Sequence, residues 1–386
     1  MSITLNVKPD YYIRAYDTNT AYYKISSTNS TEKNFRFVVK LYGPSANYLS
    51  TVKLTPDSSG YGYYNPTSYI SSFLTSDIDL NTSTLKTCTN SSGVYRLDFI
   101  EEYGDPIVTY TGTTVEDSRF YYNGCQIYED YDQVYDNFYW IIASGHTNGH
   151  ILSPTSTFYL DSTEKSLLYF ITSGSNSFSS IYTFYDNSGS ALTAFTYIIS
   201  PSANTMYHLG LGPSNLPVGT TPSNWYYYTV NLKDTTNNYL GTGYTYVYRK
   251  DKCNIIDWTQ VYWLNQDGGW SNFVFNKRKY KDSKITRQTY QKFLGYGYTV
   301  GNRGQTQFMT TVDEIITLNT EWINDTQNIL IKSLMYSSDV RILENNILIP
   351  YIIIDSEYSE KNTYDDGLYS YQIKLTPANK KIIQNG

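Results

Sequence analysis

Phe35-Arg-Phe-Val-Val-Lys-Leu-Tyr42 is followed by Gly43-Pro-Ser-Ala-Asn47 and then by Leu49-Ser-Thr-Val-Lys-Leu54. Both runs are rich in aromatic and β-branched residues, and the segment between them holds turn-forming residues. The stretch therefore reads as two strands joined by a loop. The same grammar repeats along the chain. Residues 94–103 and 107–111 flank a turn at Gly104-Asp105-Pro106. Residues 167–173 and 181–185 are followed by a tight Asn187-Ser-Gly189 turn and then by 192–199. Residues 226–233 and 244–249 flank a Thr-, Asn- and Gly-rich connection. Late strands are expected at 347–354 and 369–375, with Asp365-Asp366-Gly367 turning between them. Strands at roughly 8–12-residue spacing with turn signals between them predict sandwiches or barrels.

Two segments read as helices. Asn65-Pro66 supplies an N-cap and a first-turn Pro, after which Tyr69, Ile70, Phe73 and Leu74 share a face. Residues 320–335 open on Thr320 as a cap with Glu321 in the first turn. Trp322, Ile323, Ile329, Leu330 and Leu334 form an apolar stripe there. Two segments also share an order of features. Val52 to Pro56, Gly60-Tyr-Gly62 and Asn65-Pro66 parallel Tyr197 to Pro201, Gly210-Leu-Gly212 and Pro213 to Leu216. The expected fold class is mainly β and multi-domain. Two β-sandwich modules of Ig/fibronectin-like kind are predicted at 1–115 and 160–250, with 116–159 connecting them. A β-rich α+β domain follows at 251–386, with one helix near 320–336.

Composition narrows the classes further. The 386 residues include 44 Tyr, 15 Phe and 6 Trp, and aromatic residues make up 17%. Charged residues are also 17%, against about 25% ordinarily. Abundant aromatic and β-branched residues at a net charge of −6 argue against disorder. The acidic balance argues against a strongly basic nucleic-acid-binding domain. Scarce Ala, Leu, Glu, Lys and Arg argue against a helical bundle. No apolar run approaches the ~20 residues of a membrane span. The first twelve residues lack the basic-then-apolar order of a secretory signal. Cys88, Cys125 and Cys253 are too few and too far apart for a disulfide framework or a zinc site, so they are expected as reduced thiols.

The chemistry-bearing residue types give little purchase. His146 and His150 lie in His-Thr-Asn-Gly-His, whose glycine and asparagine favour a turn over a helix with two ligands on one face. His208 is the remaining histidine, and no Gly-x-Ser-x-Gly elbow exists. Glu129, Asp130, Asp132 and Asp136 lack the glycine and the alternate ligands of a calcium loop. Paired carboxylates for sugar hydrolysis stay open, with Asp130 and Asp132 as the candidates. The Gly-x-Gly pairs at 60, 210, 241 and 295 lack a third glycine or a Lys-Ser/Thr, so turns and bulges account for them. No enzyme activity and no cofactor is predicted.

Two features suggest surfaces that meet other molecules. Lys277, Arg278, Lys279 and Lys281, extended by Lys284, Arg287 and Lys292, form the strongest charge run, read as a solvated hairpin or a contact to a partner subunit. Tyr61, Tyr63 and Tyr64, and Trp225 with Tyr226 and Tyr227, offer large contact area at low entropy cost. A base composition rich in A and T raises Tyr, Asn, Ile and Lys together, and explains much of the tyrosine excess.

One segment is more specific. Trp258-Thr-Gln-Val-Tyr-Trp-Leu-Asn-Gln-Asp-Gly-Gly-Trp270 precedes Phe273-Val-Phe275. Trp263 and Leu264 read as a strand end, and Asn265 to Gly269 as a turn in which Gly268 and Gly269 permit positive φ. Trp270, Phe273 and Phe275 then return to a core. This Trp-Leu-Asn-x-x-Gly-Gly-Trp-x-x-Phe-x-Phe pattern, with the Pro56 to Tyr64 segment, resembles uncharacterised tail- and neck-region structural proteins of tailed phages of Bacteroidota, including crAss-like relatives. The resemblance spans about two-thirds of the chain. It implies a virion location and a homo-oligomeric ring with other virion proteins as neighbours; the lack of an apolar span and the acidic balance predict neither a membrane nor direct nucleic-acid contact. A receptor- or glycan-binding surface protein, and then a polysaccharide depolymerase, are the alternatives.

Overall fold

The computed structural model describes residues 2–16, 21–125, 150–151, 157–160, 164–217, 219–234, 245–250, 258–275, 279–301, 304–320, 322–323, 325–354, 369–379 and 381–385. It is mainly β, with five separate sheets. Two compact units divide it. One comprises Met1–Lys250 with Asn265–Trp270, and the other Asp251–Leu264 with Ser271–Gly386.

The opening strand pair is the heart of the first unit. Arg36–Tyr42 pairs antiparallel with Tyr48–Leu54 on one side and with Ser92–Tyr103 on the other. Ser92–Tyr103 continues to Val108–Tyr122, whose far end takes Tyr12–Arg14 in parallel. A second sheet of Ile3–Val7, Tyr23–Ser27 and Tyr61–Tyr64 contributes to the same core. Phe37, Val39 and Leu41 from one sheet, and Tyr23 and Ile25 from the other, are fully buried in that cluster. Each such side chain contributes about 1.5–3 kcal/mol by leaving water. Glu101 is buried among them, yet its carboxylate accepts hydrogen bonds from Ser2 Oγ, Ser27 Oγ and Asn29 Nδ2. Those partners offset the desolvation that an unpaired buried charge would suffer.

The same unit holds two further sheets. Phe178–Tyr185 lies between Ala191–Ile199 and Tyr227–Asp234, and Thr245–Lys250 and Thr157–Leu160 extend that sheet. Phe178–Tyr185 alternates buried and half-buried residues, the period-2 signature of a strand with one covered face. Leu167–Thr172 belongs elsewhere. It pairs with Thr205–Gly210, which in turn pairs with Lys86–Thr87 from far upstream. Asn215 fastens the same upstream stretch, its Nδ2 donating to Leu80 O at 2.8 Å and Thr82 O at 3.0 Å. Gly210 permits this approach, since a Cβ there would meet Thr82 O at 2.3 Å.

The second unit carries an eight-stranded sheet, in which Thr259–Leu264, Val340–Glu344, Ile347–Ile353, Gln372–Pro377, Gln305–Asn319 and Tyr280–Gln291 lie in spatial order. The helix Asp325–Met335 buries Leu330, Ile331 and Leu334. It starts later than the expected 320. Thr320 does not cap it. Thr320 N donates to Tyr371 O at 2.9 Å, and its Oγ1 accepts from Tyr371 N at 2.8 Å. Ile323 bridges to Tyr369 in extended pairing, and Trp322, placed in the apolar stripe by sequence, is exposed. Strand pairing satisfies the backbone there and outweighs local helical periodicity. The short helix after Asn65 is present, but Pro66 and not Asn65 takes the cap position, and of the expected face Ile70 and Leu74 are buried while Tyr69 and Phe73 are exposed. Asn65 Oδ1 accepts from Thr67 N at 2.9 Å, and Thr67–Ile70 is helical. The expected Asp365-Asp366-Gly367 turn lies outside the described residues.

Candidate functional site

The basic run forms most of a projecting hairpin. Tyr280–Gln291 pairs along its whole length with Gln305–Asn319. Thr, Ile and Tyr recur through both strands and favour extended backbone. At about 3.4 Å per residue, twelve residues span roughly 40 Å. Gln288 pairs with Met309 and Thr289 with Gln307, which leaves Phe308 as a bulge. Its ring lies 6.0 Å from that of Tyr290. Beyond Met309, which pairs with Asn385, only two strands remain among the described residues.

Exposure sets this arm apart. Every residue from Tyr280 to Val300 except Leu294 is exposed. The tip presents Phe293 at 96% and Tyr298 at 63% exposure, with Tyr296 and Val300 fully open. Lys279, Lys281, Lys284, Arg287 and Lys292 stand against Asp282 alone, a net charge of +4 on a chain of −6, so the remainder carries −10. None of those five cations makes an ion pair with a described residue. A groove of about 310 Å³ opens beside Lys284, with Val312, Glu314, Ile352 and Ile354 in its wall. Lys277 and Arg278 lie outside the described residues.

The tyrosine candidates are in part structural. Lys24 Nζ sits 3.9 Å from the Tyr61 ring centroid and 5.8 Å from that of Tyr63, a cation–π arrangement. Tyr64 packs on the core, and burial pushes its hydroxyl up to about 12. The expected platform at 225–228 needs correction. Trp225 is buried against Tyr228, with ring centroids 5.5 Å apart, and the fully buried Tyr228 donates its hydroxyl proton to Leu211 O at 2.6 Å. Tyr227 stacks on Tyr185 at 4.6 Å, and both Tyr226 and Tyr227 are only half-exposed. The indole is apolar enough to be drawn into the sheet's covered face, so it offers no ligand platform.

The Trp-rich motif is structural in its geometry. Trp263 is fully buried, and its Nε1 donates to Ser333 Oγ at 2.9 Å. Asn265 organises the turn: its N–H donates to Gly269 O at 2.8 Å, and its Oδ1 accepts from Gly269 N at 3.0 Å. Gly268 takes φ +87°, and a Cβ there would meet Asn123 O at 2.3 Å. Gly269 is not among the positive-φ glycines, so only one of the pair needs that freedom. Cys125 N donates to Gln266 O at 2.7 Å, and Arg14 pairs with Asp267 at 3.0 Å, so the turn is bound into the first unit. Trp270 and Phe275 are buried, and Trp258 and Phe273 are half-buried.

Sequence reasoning passed over one constellation. Cys88 Sγ lies 3.2 Å from His208 Nδ1, across 120 residues of chain. A Cys–His pair is the core of a nucleophilic apparatus when the thiol is ionised and reachable. Here both residues are buried, at 1% and 2% exposure. Burial pushes the Cys88 thiol well above its usual range and pushes His208 down to about 4, with Asp79 and Asp77 pulling the imidazole back up by less. The pair is therefore a neutral thiol hydrogen-bonded to a neutral imidazole, the inert kind of buried cysteine. Spacing offered no signal for it, because the pairing of Lys86–Thr87 with Tyr207 and His208 is what brings the two together.

Among the described residues, no three His, Cys, Asp or Glu side chains converge on a metal position. Glu129, Asp130, Asp132, Asp136 and His146 lie outside the described residues, as does the side chain of His150. No described helix is long and apolar enough to cross a membrane. No known protein family and no curated protein matches the chain.

Proposed function

We propose that the protein is a non-enzymatic structural subunit of a tailed-phage virion, built on β-sandwich modules of Ig/fibronectin-like kind and working by protein–protein assembly. The observation that carries this reading is the exposed arm at 280–301. Beyond Met309 the hairpin has only two strands among the described residues; such a two-stranded end is marginally stable in water, and one that also exposes Phe293, Tyr296 and Val300 gains most from a partner surface. The resemblance of the Trp258–Phe275 segment to tail- and neck-region phage proteins supports the virion setting. The buried state of Cys88 and His208 supports a role without nucleophilic chemistry, and the burial of Trp225 weakens the case for a glycan platform. Mass spectrometry of purified virions tests the proposal. The protein is expected at stoichiometric copy number among the particle proteins, and its absence from the particles overturns the reading.

A further inference from the structure

The arm raises a narrower question, namely what kind of partner its stem takes. Tyr280–Gln291 is the last strand of its sheet, so its outer backbone edge has no strand against it among the described residues. About half of the N–H and C=O groups of an edge strand point outward, away from the sheet. Natural edges are commonly closed by a proline, a bulge or a covering loop. Here the strand contains no proline, and the extra residue of the bulge, Phe308, sits on the opposite strand. The edge therefore runs unbroken, and all 12 of its residues are exposed.

Charge is what guards this edge. Lys281, Lys284 and Arg287 recur at every third residue, with Asp282 as the one acid in the strand. Side chains alternate between the faces of a strand, so Lys281 and Arg287 stand on one face and Lys284 on the other. Pairing with the same edge of a second copy would bring these cations near their own kind, and like charges facing across strands are destabilising. The same cations favour a strand that carries acids. A strand with Glu or Asp at every third residue matches their spacing and alternates faces in the same way, so its carboxylates meet cations on both faces. A phosphodiester backbone answers the charges but brings no N–H donors to the outward row of C=O groups. A bilayer meets the tip or one face of the ribbon, and not cations on two faces.

We infer that the edge of Tyr280–Gln291 takes up an extended acidic segment of another protein chain as an added strand, with main-chain hydrogen bonds supplying affinity and the row Lys281, Lys284 and Arg287 supplying selectivity. This rests on the assembly role proposed above and names the chemistry of the partner of that same surface. Exposed ion pairs are individually weak and are screened by salt, so selectivity for acids falls as salt rises while the backbone pairing persists.

The test uses the full chain and three synthetic peptides. One is Thr-Glu-Thr repeated four times, one is its Thr-Lys-Thr counterpart, and one is Pro-Glu-Pro repeated four times, which keeps the acids but cannot join a sheet. Binding is read by fluorescence anisotropy of the labelled peptide and by amide hydrogen exchange over 280–291. The Thr-Glu-Thr peptide is expected to bind about tenfold or more tighter than either control and to slow exchange along the strand. K281E/K284E/R287E is expected to bind it about tenfold or more weaker and to prefer the lysine peptide, with the unfolding midpoint unchanged because these side chains are exposed. No binding of the Thr-Glu-Thr peptide overturns the inference. Equal binding of the proline peptide overturns strand addition, and an unchanged K281E/K284E/R287E overturns the role of charge. Slow exchange of every amide of the strand in the monomeric chain alone also overturns the inference, since the chain then covers its own edge. The same protection in a self-associated chain assigns the edge to a second copy instead. Tighter binding of a single-stranded oligonucleotide or of phosphatidylglycerol vesicles than of the acidic peptide, lost in the triple variant, assigns it to that ligand. A chain present in virions whose edge ignores the peptide refutes the acidic strand and leaves the assembly role standing. A chain that binds the peptide as expected but is absent from virions does the reverse.

Discussion

His208 gives the sharpest test of the packing. Its imidazole is buried on the strand Thr205–Gly210, with Nδ1 against the Cys88 thiol and its ring 5.3 Å from that of Tyr169. Among the described residues no acceptor reaches Nε2. Protonation would place a charge in a buried site against a thiol and an aromatic face, where Asp79 and Asp77 compensate only in part. The folded pKa is accordingly pushed from 6.5 to about 4, chiefly by burial. The sign follows from linkage. The unfolded chain takes up a proton near 6.5 while the folded one does not until about 4, so stability present above 6.5 is lost as pH falls. For this shift the loss is about 2 kcal/mol by about pH 5 and about 3 kcal/mol by about pH 4. Carboxylate titrations common to wild type and a variant at this position cancel in the comparison. Asp79, the nearest ion-paired carboxylate, is held below its usual range first by its hydrogen bond from Lys86. His208→Leu removes the titration at similar volume. At neutral pH it is expected to change stability by about 1 kcal/mol, the scale of the lost thiol hydrogen bond. Between about pH 7.5 and about pH 5 the wild type should lose about 2 kcal/mol more than the variant, read from urea unfolding by tryptophan fluorescence at constant ionic strength. Equal losses in the two proteins would refute a neutral, buried imidazole at this position.

Other expectations follow from the same geometry. Gly268→Ala combines an unfavourable φ of +87° with a Cβ 2.3 Å from Asn123 O, and should destabilise by at least about 2 kcal/mol in urea unfolding. Trp263→Ala empties a fully buried site and breaks the bond to Ser333, for an expected loss of about 3–5 kcal/mol. Phe293→Ala, at the exposed tip, should leave the unfolding midpoint within about 0.5 kcal/mol of wild type, so the pair of variants separates core aromatics from surface ones. Cys88 should resist maleimide in the native protein and react only as denaturant opens the fold, as followed by peptide mass spectrometry. Rapid native labelling would contradict the buried, protonated thiol.

The local chemistry of the chain was legible throughout. Arg36–Tyr42 and Tyr48–Leu54 pair where runs rich in aromatic and β-branched residues and a Gly/Pro/Asn loop predicted them, because strand character and turns are written over spans of a few residues. The Asn265–Gly269 turn was readable for the same reason, and the basic hairpin was visible as a charge run. Decisions that depend on distant residues were not. Thr320 was read as a helix cap, but Tyr371, 51 residues away, takes its hydroxyl and its backbone into strand pairing. Trp225 looked available until Tyr228 and its sheet covered it. Cys88 and His208 become neighbours only because an upstream strand joins a downstream sheet, and their inertness comes from the burial that follows. Sequence by itself determined that this is a β protein with turns at named places and a basic segment on an acidic chain. Tertiary structure alone decided which aromatics are core and which are free, because burial is a property of what packs on a residue and not of the residue or its neighbours in the chain.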